Sequence, residues 1–194
     1  MTSLDDARRA LMARQGSGAR YDAPEAPADM LHLARTGTAY FARFLNRLPD
    51  RALYEPLRAD GLTPAHVISA ISYQARAIAR QAEAITAGDT IPPLYDSQAA
   101  LKAMIDLGAT LPARALRHLF DHASVHLNVV WRDLPGDGWQ VLVPGIDGTM
   151  HAFADTVRTR ACSIWAAAFD LGNGARKRDL PVALLAAGCS EFTA

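Results

Sequence analysis

The sequence predicts a mainly α-helical fold, a four-helix bundle that carries one small β-hairpin. Long segments place apolar residues at a spacing close to 3.6, which is typical of helices with one buried face. Capping residues stand where these segments begin and end. One stretch rich in Gly, Pro and Asp separates two short extended runs, which is the pattern of a hairpin. A chain of 194 residues, of which 50% are hydrophobic, can enclose a sizeable core in one domain.

The N-terminal part is expected to differ from the rest. We interpret residues 1–26 as an arm or partner-contacting extension, with a short helix over 3–14 and a flexible Gly/Ser stretch after it. Residues 27–194 are predicted to form a single bundle domain. Its first core helix begins near Asp29 and ends at Pro49. The apolar stripe of that helix comprises Leu31, Ala34, Tyr40, Phe41, Phe44, Leu45 and Leu48.

The second core helix has the most specific boundaries. Thr63 is a suitable N-cap, and Pro64 fits the first helical position because no backbone hydrogen bond is lost there. Gly88 is suited to ending the helix. The positions expected to point inward are Val67, Ile71, Ile78, Ala82 and Ile85.

The third core helix is predicted to be interrupted. Ser97 is expected to cap it, and the helix restarts near Pro112 and continues to about Trp131. Two short extended runs follow, at 139–143 and 149–153, with a Gly-rich connection that favours a hairpin.

The fourth core helix is predicted from about Ala154 to Leu171, with Gly172 ending it. The long crossover between the third and fourth helices then carries the hairpin.

Composition excludes several classes of partner. Lys plus Arg number 20, and so do Asp plus Glu, so there is no overall field to attract nucleic acid or an anionic membrane. No apolar run reaches the ~18–20 residues that span a bilayer. The chain start lacks the basic-then-apolar order of a secretory signal, and we expect a cytoplasmic protein. Cys162 and Cys189 suggest neither a disulfide framework nor a zinc motif, and Cys162 is interpreted as a small buried hydrophobic residue.

The stretch Arg160-Ala-Cys-Ser-Ile-Trp-Ala-Ala-Ala-Phe-Asp-Leu-Gly172 resembles the last core helix of the mycothiol-dependent maleylpyruvate isomerase family, in the DinB-like four-helix group. There the pattern is Arg, two residues, Glu, three residues, His, two residues and Asp-Leu-Gly. Residues 61–70 resemble the family's Gly-Trp-Thr-Arg-Gly-His-Val-Leu-Ala-His. Residues 88–97 resemble its Gly…Pro-Met-Tyr-x-Ser loop, and 105–109 its Ile-Glu-x-Gly-Ala continuation. The resemblance implies a DinB-like bundle over residues 28–185.

The resemblance also implies that the usual metal site has been lost. The family's metal ligands, a His on the second helix and the Glu and His on the fourth, fall on Ala70, Ser163 and Ala167. A methyl group cannot ligate a metal, and a neutral hydroxyl is a poor substitute for a carboxylate. His66 matches a second His of the family pattern, but one His does not hold a divalent ion. Leu101 replaces a family Arg suited to anchoring a carboxylate, so maleylpyruvate itself is not the expected substrate.

Three histidines on the third helix form a second candidate site. His118, His122 and His126 are spaced four residues apart and therefore share one helix face. One interpretation places them at the boundary of the core, bonded to solvent or to neighbouring acids. The alternatives are a relocated zinc site at these three residues, or acid–base use of His122 or His126 facing the pocket.

The candidate site residues follow from both patterns. The expected catalytic residues are His122, His126, Arg160 and Tyr73. The expected substrate-binding residues are Ala70, Ser163, Trp165, Ala167 and His66. Plainer roles remain open: Arg160 in an ion pair with Asp170, Ser163 as a space-filling residue, and Trp165 and Tyr73 as core aromatics.

Three functional hypotheses remain. The first is a metal-independent small-molecule enzyme that catalyses an isomerisation, cyclisation or related rearrangement, with no cofactor. The second is a thiol S-transferase or isomerase of the mycothiol type that uses the relocated histidine site. The third is a non-catalytic small-molecule-binding relative. A small molecule is the expected partner in each, and a homodimer is compatible with the exposed helix faces and the N-terminal arm.

Overall fold

The computed structural model describes residues 4–15, 22–57 and 61–189, and it is mainly helical, as the sequence predicts. The helices and strands are α1 (Leu4–Gln15), α2 (Ala28–Leu45), α3 (Pro64–Ala87), α4 (Gln98–Gly108), α5 (Ala113–Asp133), β1 (Leu142–Pro144), β2 (Met150–Ala152), α6 (Phe153–Asp170) and α7 (Val182–Ala186). Short 3-10 turns lie at Asp50–Tyr54, Gly136–Gln140 and Lys177–Asp179.

Helices α2, α3, α5 and α6 form the bundle. α2 packs along α6, while α3 packs against both α5 and α6. α2 and α5 share few contacts, so a groove remains between them. The bundle interior is filled by fully buried apolar side chains, among them Phe41, Ile68, Ile78, Leu116, Phe120 and Val157. The apolar stripes read from the sequence therefore face one common core.

The predicted ends of α3 agree with the structure. Thr63 precedes the helix in an extended conformation, and Pro64 is its first residue. The Thr63 backbone N–H donates to His66 Nδ1 at 3.2 Å, and Thr63 Oγ1 lies 2.8 Å from the same nitrogen. Gly88 ends the helix with a φ of 73°, a left-handed conformation that glycine adopts without steric cost.

The predicted third helix is two helices, α4 and α5, separated by a turn that ends at Pro112. Ser97 Oγ caps α4 by accepting a hydrogen bond from the Ala100 N–H at 3.0 Å. α4 lies directly on α3. A Cβ at Gly108 would stand 2.8 Å from both Ser69 Oγ and the Tyr73 ring, so only glycine permits this approach.

The hairpin forms inside the crossover between α5 and α6. β1 and β2 are antiparallel, with Val143 opposite His151. Gln81, which is fully buried on α3, donates to the Pro144 carbonyl at 2.9 Å and to the Pro92 carbonyl at 3.1 Å. The hairpin and the α3–α4 connection are thereby tied to the same helix.

The N-terminal helix α1 contacts the end of α5. The Arg8 guanidinium donates to the carbonyl oxygens of Leu134 and Arg132. The helix agrees with the segment predicted over residues 3–14. The Gly16-Ser-Gly part of the predicted flexible stretch lies outside the described residues, and the division into an arm and one domain stays a prediction.

The cysteine prediction was wrong in one respect. Cys162 is buried, as predicted, but it forms a disulfide with Cys189, with a Cα–Cα distance of 5.6 Å. The two residues are 27 positions apart, and their spacing does not show that the segment after α6 returns to it. The return is fixed by packing, because Leu184 of α7 is fully buried in the core.

Candidate functional site

A cavity of about 440 Å³ lies between α3, α4 and α6, and we call it the α3/α6 cavity. Its lining comprises Leu62, His66, Val67, Ala70, Ile71, Gln74, Leu94, Tyr95, Leu101, Ile105, Ser163, Ala166, Ala167 and Asp170. Most of these side chains are apolar, and a few polar groups converge among them. This is the usual make-up of a pocket for a small organic molecule.

The structure brings together the three positions that correspond to the family's metal ligands. Ala70 on α3 and Ser163 and Ala167 on α6 all line the α3/α6 cavity. Ser163 and Ala167 are one helical turn apart and so face the same side of α6. Two methyl groups and one neutral hydroxyl offer no carboxylate or imidazole, so this donor set does not fit a divalent metal ion.

A chain of hydrogen bonds connects the cavity wall to the bundle interior. Gln74 Nε2 donates to Ser163 Oγ at 3.0 Å. Gln74 Oε1 accepts from Arg160 Nη1 at 3.2 Å, and the same nitrogen donates to the Ile71 carbonyl at 2.5 Å. Gln74 thus fixes the orientation of the Ser163 hydroxyl and couples it to the buried guanidinium.

Arg160 is the most unusual charged residue of the bundle because it is only 1% exposed. Burial lowers its pKa to about 9, and the nearby Tyr95 partly opposes this shift. Burial also raises the pKa of Tyr95 to about 12, with Arg160 and Arg80 opposing the shift. At neutral pH Tyr95 is therefore a neutral hydrogen-bond donor at the wall of the α3/α6 cavity.

His66 lies in the cavity wall, and one nitrogen of its ring is engaged in contacts at the start of α3. Its Nδ1 takes part in the capping contacts with Thr63. Its Nε2 lies 4.0 Å from Asp106 Oδ1 on α4. Asp170, at the last turn of α6, lines the same cavity. An imidazole and a carboxyl group thus flank the space between Ala70 and Ala167.

Two predicted site residues lie elsewhere. Tyr73 is half-buried and packs on Gly108 of α4, outside the lining of the α3/α6 cavity. Trp165 faces α2, where its Nε1 donates to the Leu33 carbonyl at 3.1 Å and its ring stacks on Tyr40 at 4.7 Å. The prediction that Trp165 lines the pocket is replaced by the plainer role of a core aromatic.

The histidine ridge of α5 also lies away from the α3/α6 cavity. His118 and His122 are exposed, with ring centroids 6.0 Å apart, and His122 is 6.1 Å from His126. His126 Nε2 lies 2.8 Å from Glu83 Oε1 on α3. Within the described part of the chain, no three His, Cys, Asp or Glu side chains are grouped closely enough to hold a metal ion. Neither His122 nor His126 lines the α3/α6 cavity, and a catalytic role for them stays a prediction.

Sequence reasoning missed Gln74, Tyr95 and Asp170 as lining residues. A sequence pattern points to Gln74, because it follows His66 and Ala70 at the same four-residue spacing along α3. Asp170 stands three residues after Ala167 on the same helical face. Tyr95 is the Tyr of the loop at 88–97 that resembles the family's Pro-Met-Tyr-x-Ser motif, and this resemblance is the signal that could have pointed to it.

Comparison with known proteins identifies the family. Residues 34–172 match the model of the mycothiol maleylpyruvate isomerase N-terminal domain, so the chain belongs to this family. No curated protein sequence matches the chain.

Two solved structures share the fold. One is the mycothiol-dependent maleylpyruvate isomerase, and the other is a variant of that enzyme with one His replaced by Ala. Each is 31% identical to this chain over 82% of its length, with TM-scores of 0.77 and 0.78 respectively. The chain spans 66% of the length of each structure. None of the helices among the described residues has the length and apolar character needed to cross a membrane.

Proposed function

We propose that this protein is a metal-independent enzyme that binds a small organic molecule in the α3/α6 cavity and rearranges it by isomerisation or cyclisation. The cavity itself carries the proposal. It retains a concave, mainly apolar space at the positions where the family implies a metal, and it holds groups that donate or accept protons. The similar solved structure belongs to an isomerase, which supports the reaction class.

The polar groups of the cavity wall have distinct roles in this proposal. His66 and Asp170 are the groups suited to moving a proton, because an imidazole can accept or donate one and a carboxylate can accept one. Tyr95, kept neutral by its raised pKa, donates a hydrogen bond to a carbonyl or hydroxyl of the substrate. The oriented Ser163 hydroxyl provides a second polar contact. His122 and His126 are not part of this set.

Metal independence rests on the chemistry of the lining. A divalent ion at the position that the family implies would meet Ala70, Ala167 and a neutral Ser163, none of which is a charged or imidazole ligand. His66 and Asp170 line the same cavity, but among the described residues no three His, Cys, Asp or Glu side chains are grouped closely enough to hold a metal ion. The mycothiol dependence of the similar isomerase is therefore not carried over to this chain. The relocated zinc site stays the alternative for a thiol S-transferase.

The test is a search for mass-neutral conversion. The full chain, treated with EDTA and without added thiol, is incubated with a small-molecule extract and analysed by mass spectrometry coupled to chromatography. We expect one compound to decrease while an isomer of the same mass, open-chain or cyclic, increases. The matched control is Ala70→Leu, which fills the cavity from a partly exposed position and should abolish conversion without lowering the melting temperature by more than a few degrees.

The alternatives give different results. Conversion that requires both added zinc and a low-molecular-weight thiol, and that is lost in a triple alanine variant of His118, His122 and His126, would establish the S-transferase. Saturable binding with no product after long incubation would establish the non-catalytic relative. Conversion that is unchanged in Ala70→Leu would contradict the placement of the reaction in the α3/α6 cavity.

A further inference from the structure

A second concave site lies on another side of the bundle, in the groove between α2 and α5. Its volume is about 370 Å³, and its walls include Ala39, Ala42, Phe120 and Leu127. Arg160 also contributes to its lining, although it lies on α6. We call this space the α2/α5 groove. None of its lining residues is shared with the α3/α6 cavity.

Three residues that line the α2/α5 groove carry buried polar atoms without a hydrogen-bond partner. Among the described residues these atoms are Arg160 Nε, Arg160 Nη2, Trp131 Nε1 and Ser124 Oγ. Arg160 and Trp131 are 1% and 3% exposed, respectively. Most buried polar atoms in folded proteins are hydrogen-bonded, so such a concentration at one groove requires an explanation.

The unpartnered nitrogens of Arg160 have a specific geometry. Nη1 is already used, because it donates to Ile71 and Gln74. Nε and Nη2 form one edge of the planar guanidinium, and their N–H bonds are parallel. This edge matches the two oxygens of a carboxylate in a bidentate contact.

No acidic side chain in the described residues neutralises this guanidinium. Asp22, which lies near α2, is occupied by Arg35 at 2.6 and 2.7 Å. Asp121 lines the groove from an exposed position on α5, and it makes no ion pair with Arg160 in the described part of the chain. A buried charge without a counterion is costly, and an anion supplied from outside would offset that cost.

We propose that the α2/α5 groove binds a small organic monocarboxylate, with its carboxylate against the Nε/Nη2 edge of Arg160 and its apolar body against α2 and α5. Trp131 Nε1 and the Ser124 hydroxyl donate to the same carboxylate. The side chains of Ala39, Ala42, Phe120 and Leu127 offer an apolar surface to the body of an organic anion, which an inorganic anion lacks, and this favours the organic one.

This site goes beyond the function proposed for the α3/α6 cavity. A chain of hydrogen bonds connects the two. Arg160 Nη1 bonds Gln74, which in turn bonds Ser163. A carboxylate on the opposite edge of the guanidinium would therefore act on the hydrogen-bond chain that orients Ser163.

The experiment is a titration of the ¹⁵N-labelled full chain with sodium benzoate, followed by NMR. The chain has three Trp, so it gives three indole N–H signals, and the Trp131→Phe variant identifies that of Trp131. We expect benzoate to shift the Trp131 signal saturably, while the signals of Trp139 and Trp165 move little. Benzamide, which has the same shape without charge, should bind at least tenfold more weakly.

Variants measured by calorimetry locate the site. Arg160→Met should abolish benzoate binding. Because this variant alters the core, Ser124→Ala and Trp131→Phe carry the test if it does not fold, and each should weaken binding about three- to tenfold. Ala42→Leu narrows the groove and should weaken binding more than tenfold. Ala70→Leu, which fills the α3/α6 cavity, is the matched control and should change the affinity less than twofold.

Several results would overturn the proposal. Equal binding of benzamide would show that the guanidinium is not the anchor. An equal shift of the Trp131 signal by inorganic phosphate would show a site for inorganic anions. The absence of any shift at millimolar benzoate would show that the α2/α5 groove does not bind an organic monocarboxylate. Binding lost in Ala70→Leu and kept in Ala42→Leu would place the carboxylate in the other cavity.

Discussion

The α3/α6 cavity and the histidine ridge of α5 each have one feature of a metal site and lack the other. The cavity is a concave space between helices, but the positions that would carry metal ligands are Ala70, Ser163 and Ala167. The ridge has three imidazoles in a row, but His118 and His122 are exposed on the outer surface of one helix. The concave space and the row of three histidines therefore lie in different parts of this protein.

The difference shows why a count of chemically capable residues does not locate a site. Ligands bind where several elements surround them, and side chains on one straight helix diverge from each other as they extend into solvent. Three histidines at a four-residue spacing satisfy a sequence pattern, but their rings follow one another about 6 Å apart and do not converge on one point. The cavity encloses a volume with only His66, Tyr95, Ser163, Gln74 and Asp170 as polar groups.

The largest expected effect comes from returning ligands to the cavity. The triple substitution Ala70→His, Ser163→Glu and Ala167→His should create a site that binds one zinc ion per chain, at least a thousandfold more tightly than the wild-type protein does. The reason is that these three positions already line one cavity. The measurement is competition with a fluorescent zinc chelator. Adding alanine at His118, His122 and His126 should leave this affinity unchanged, and loss of zinc in that background would show that the ridge, not the cavity, is the binding site.

The second effect concerns the disulfide behind the cavity wall. Cys162 directly precedes Ser163 on α6, and its bond to Cys189 closes a loop of 27 residues. Cys189→Ser should lower the free energy of unfolding by about 3–4 kcal/mol, since the cross-link restricts the unfolded chain. Urea denaturation measures this, with reduction of the wild-type protein by dithiothreitol as the parallel experiment. Equal stability of the reduced and oxidised proteins would contradict a structural role for the bond.

The fold was more predictable than the site, and the reason is physical. Helix boundaries such as Thr63 and Gly88 depend on neighbouring residues, so the sequence displays them directly. The correspondence of Ala70 with Ser163 and Ala167 came from the resemblance to a known family, since residues on different helices show no relation in the sequence. The Cys162–Cys189 bond depends on how the segment after α6 packs, and the side on which Trp165 lies depends on the position of α2. Neither is encoded in local spacing.

The third prediction concerns the titration of Tyr95, which lines the α3/α6 cavity and does not belong to the histidine ridge. The pKa of Tyr95 is raised to about 12 by burial, above its ordinary value of 10.0. The folded state therefore holds the proton more tightly than the unfolded state does. The contribution of this group to stability is fully present below pH 10 and is lost as the pH rises toward 12. The stability of the wild-type protein should fall relative to Tyr95→Phe by up to about 1.4 kcal/mol per pH unit in that range.

The titration of Arg160 changes the stability in the opposite direction. The contributions of Arg160 and Tyr95 to the pH dependence must therefore be distinguished. The pKa of Arg160 in the folded state is lowered to about 9 by burial, so the unfolded state binds its proton more tightly and stability rises with pH above about 9. Both proteins in the Tyr95→Phe comparison contain Arg160, so this contribution largely cancels. Parallel stability curves from pH 9 to 11 would show that Tyr95 is not shifted by the cavity.

The smallest effect is expected at the ridge. The side chains of His126 and Glu83 are 38% and 49% exposed, so solvent screens their contact strongly. His126→Ala and Glu83→Gln should each change the free energy of unfolding by less than about 1 kcal/mol, and the double variant should show little coupling energy between them. Neither variant should change the affinity of a ligand bound in the α3/α6 cavity by more than about twofold, because no ridge residue lines that space. A tenfold loss of binding or turnover in His126→Ala would show that the ridge and the α3/α6 cavity act as one site, and the separation of the two regions would no longer describe this protein.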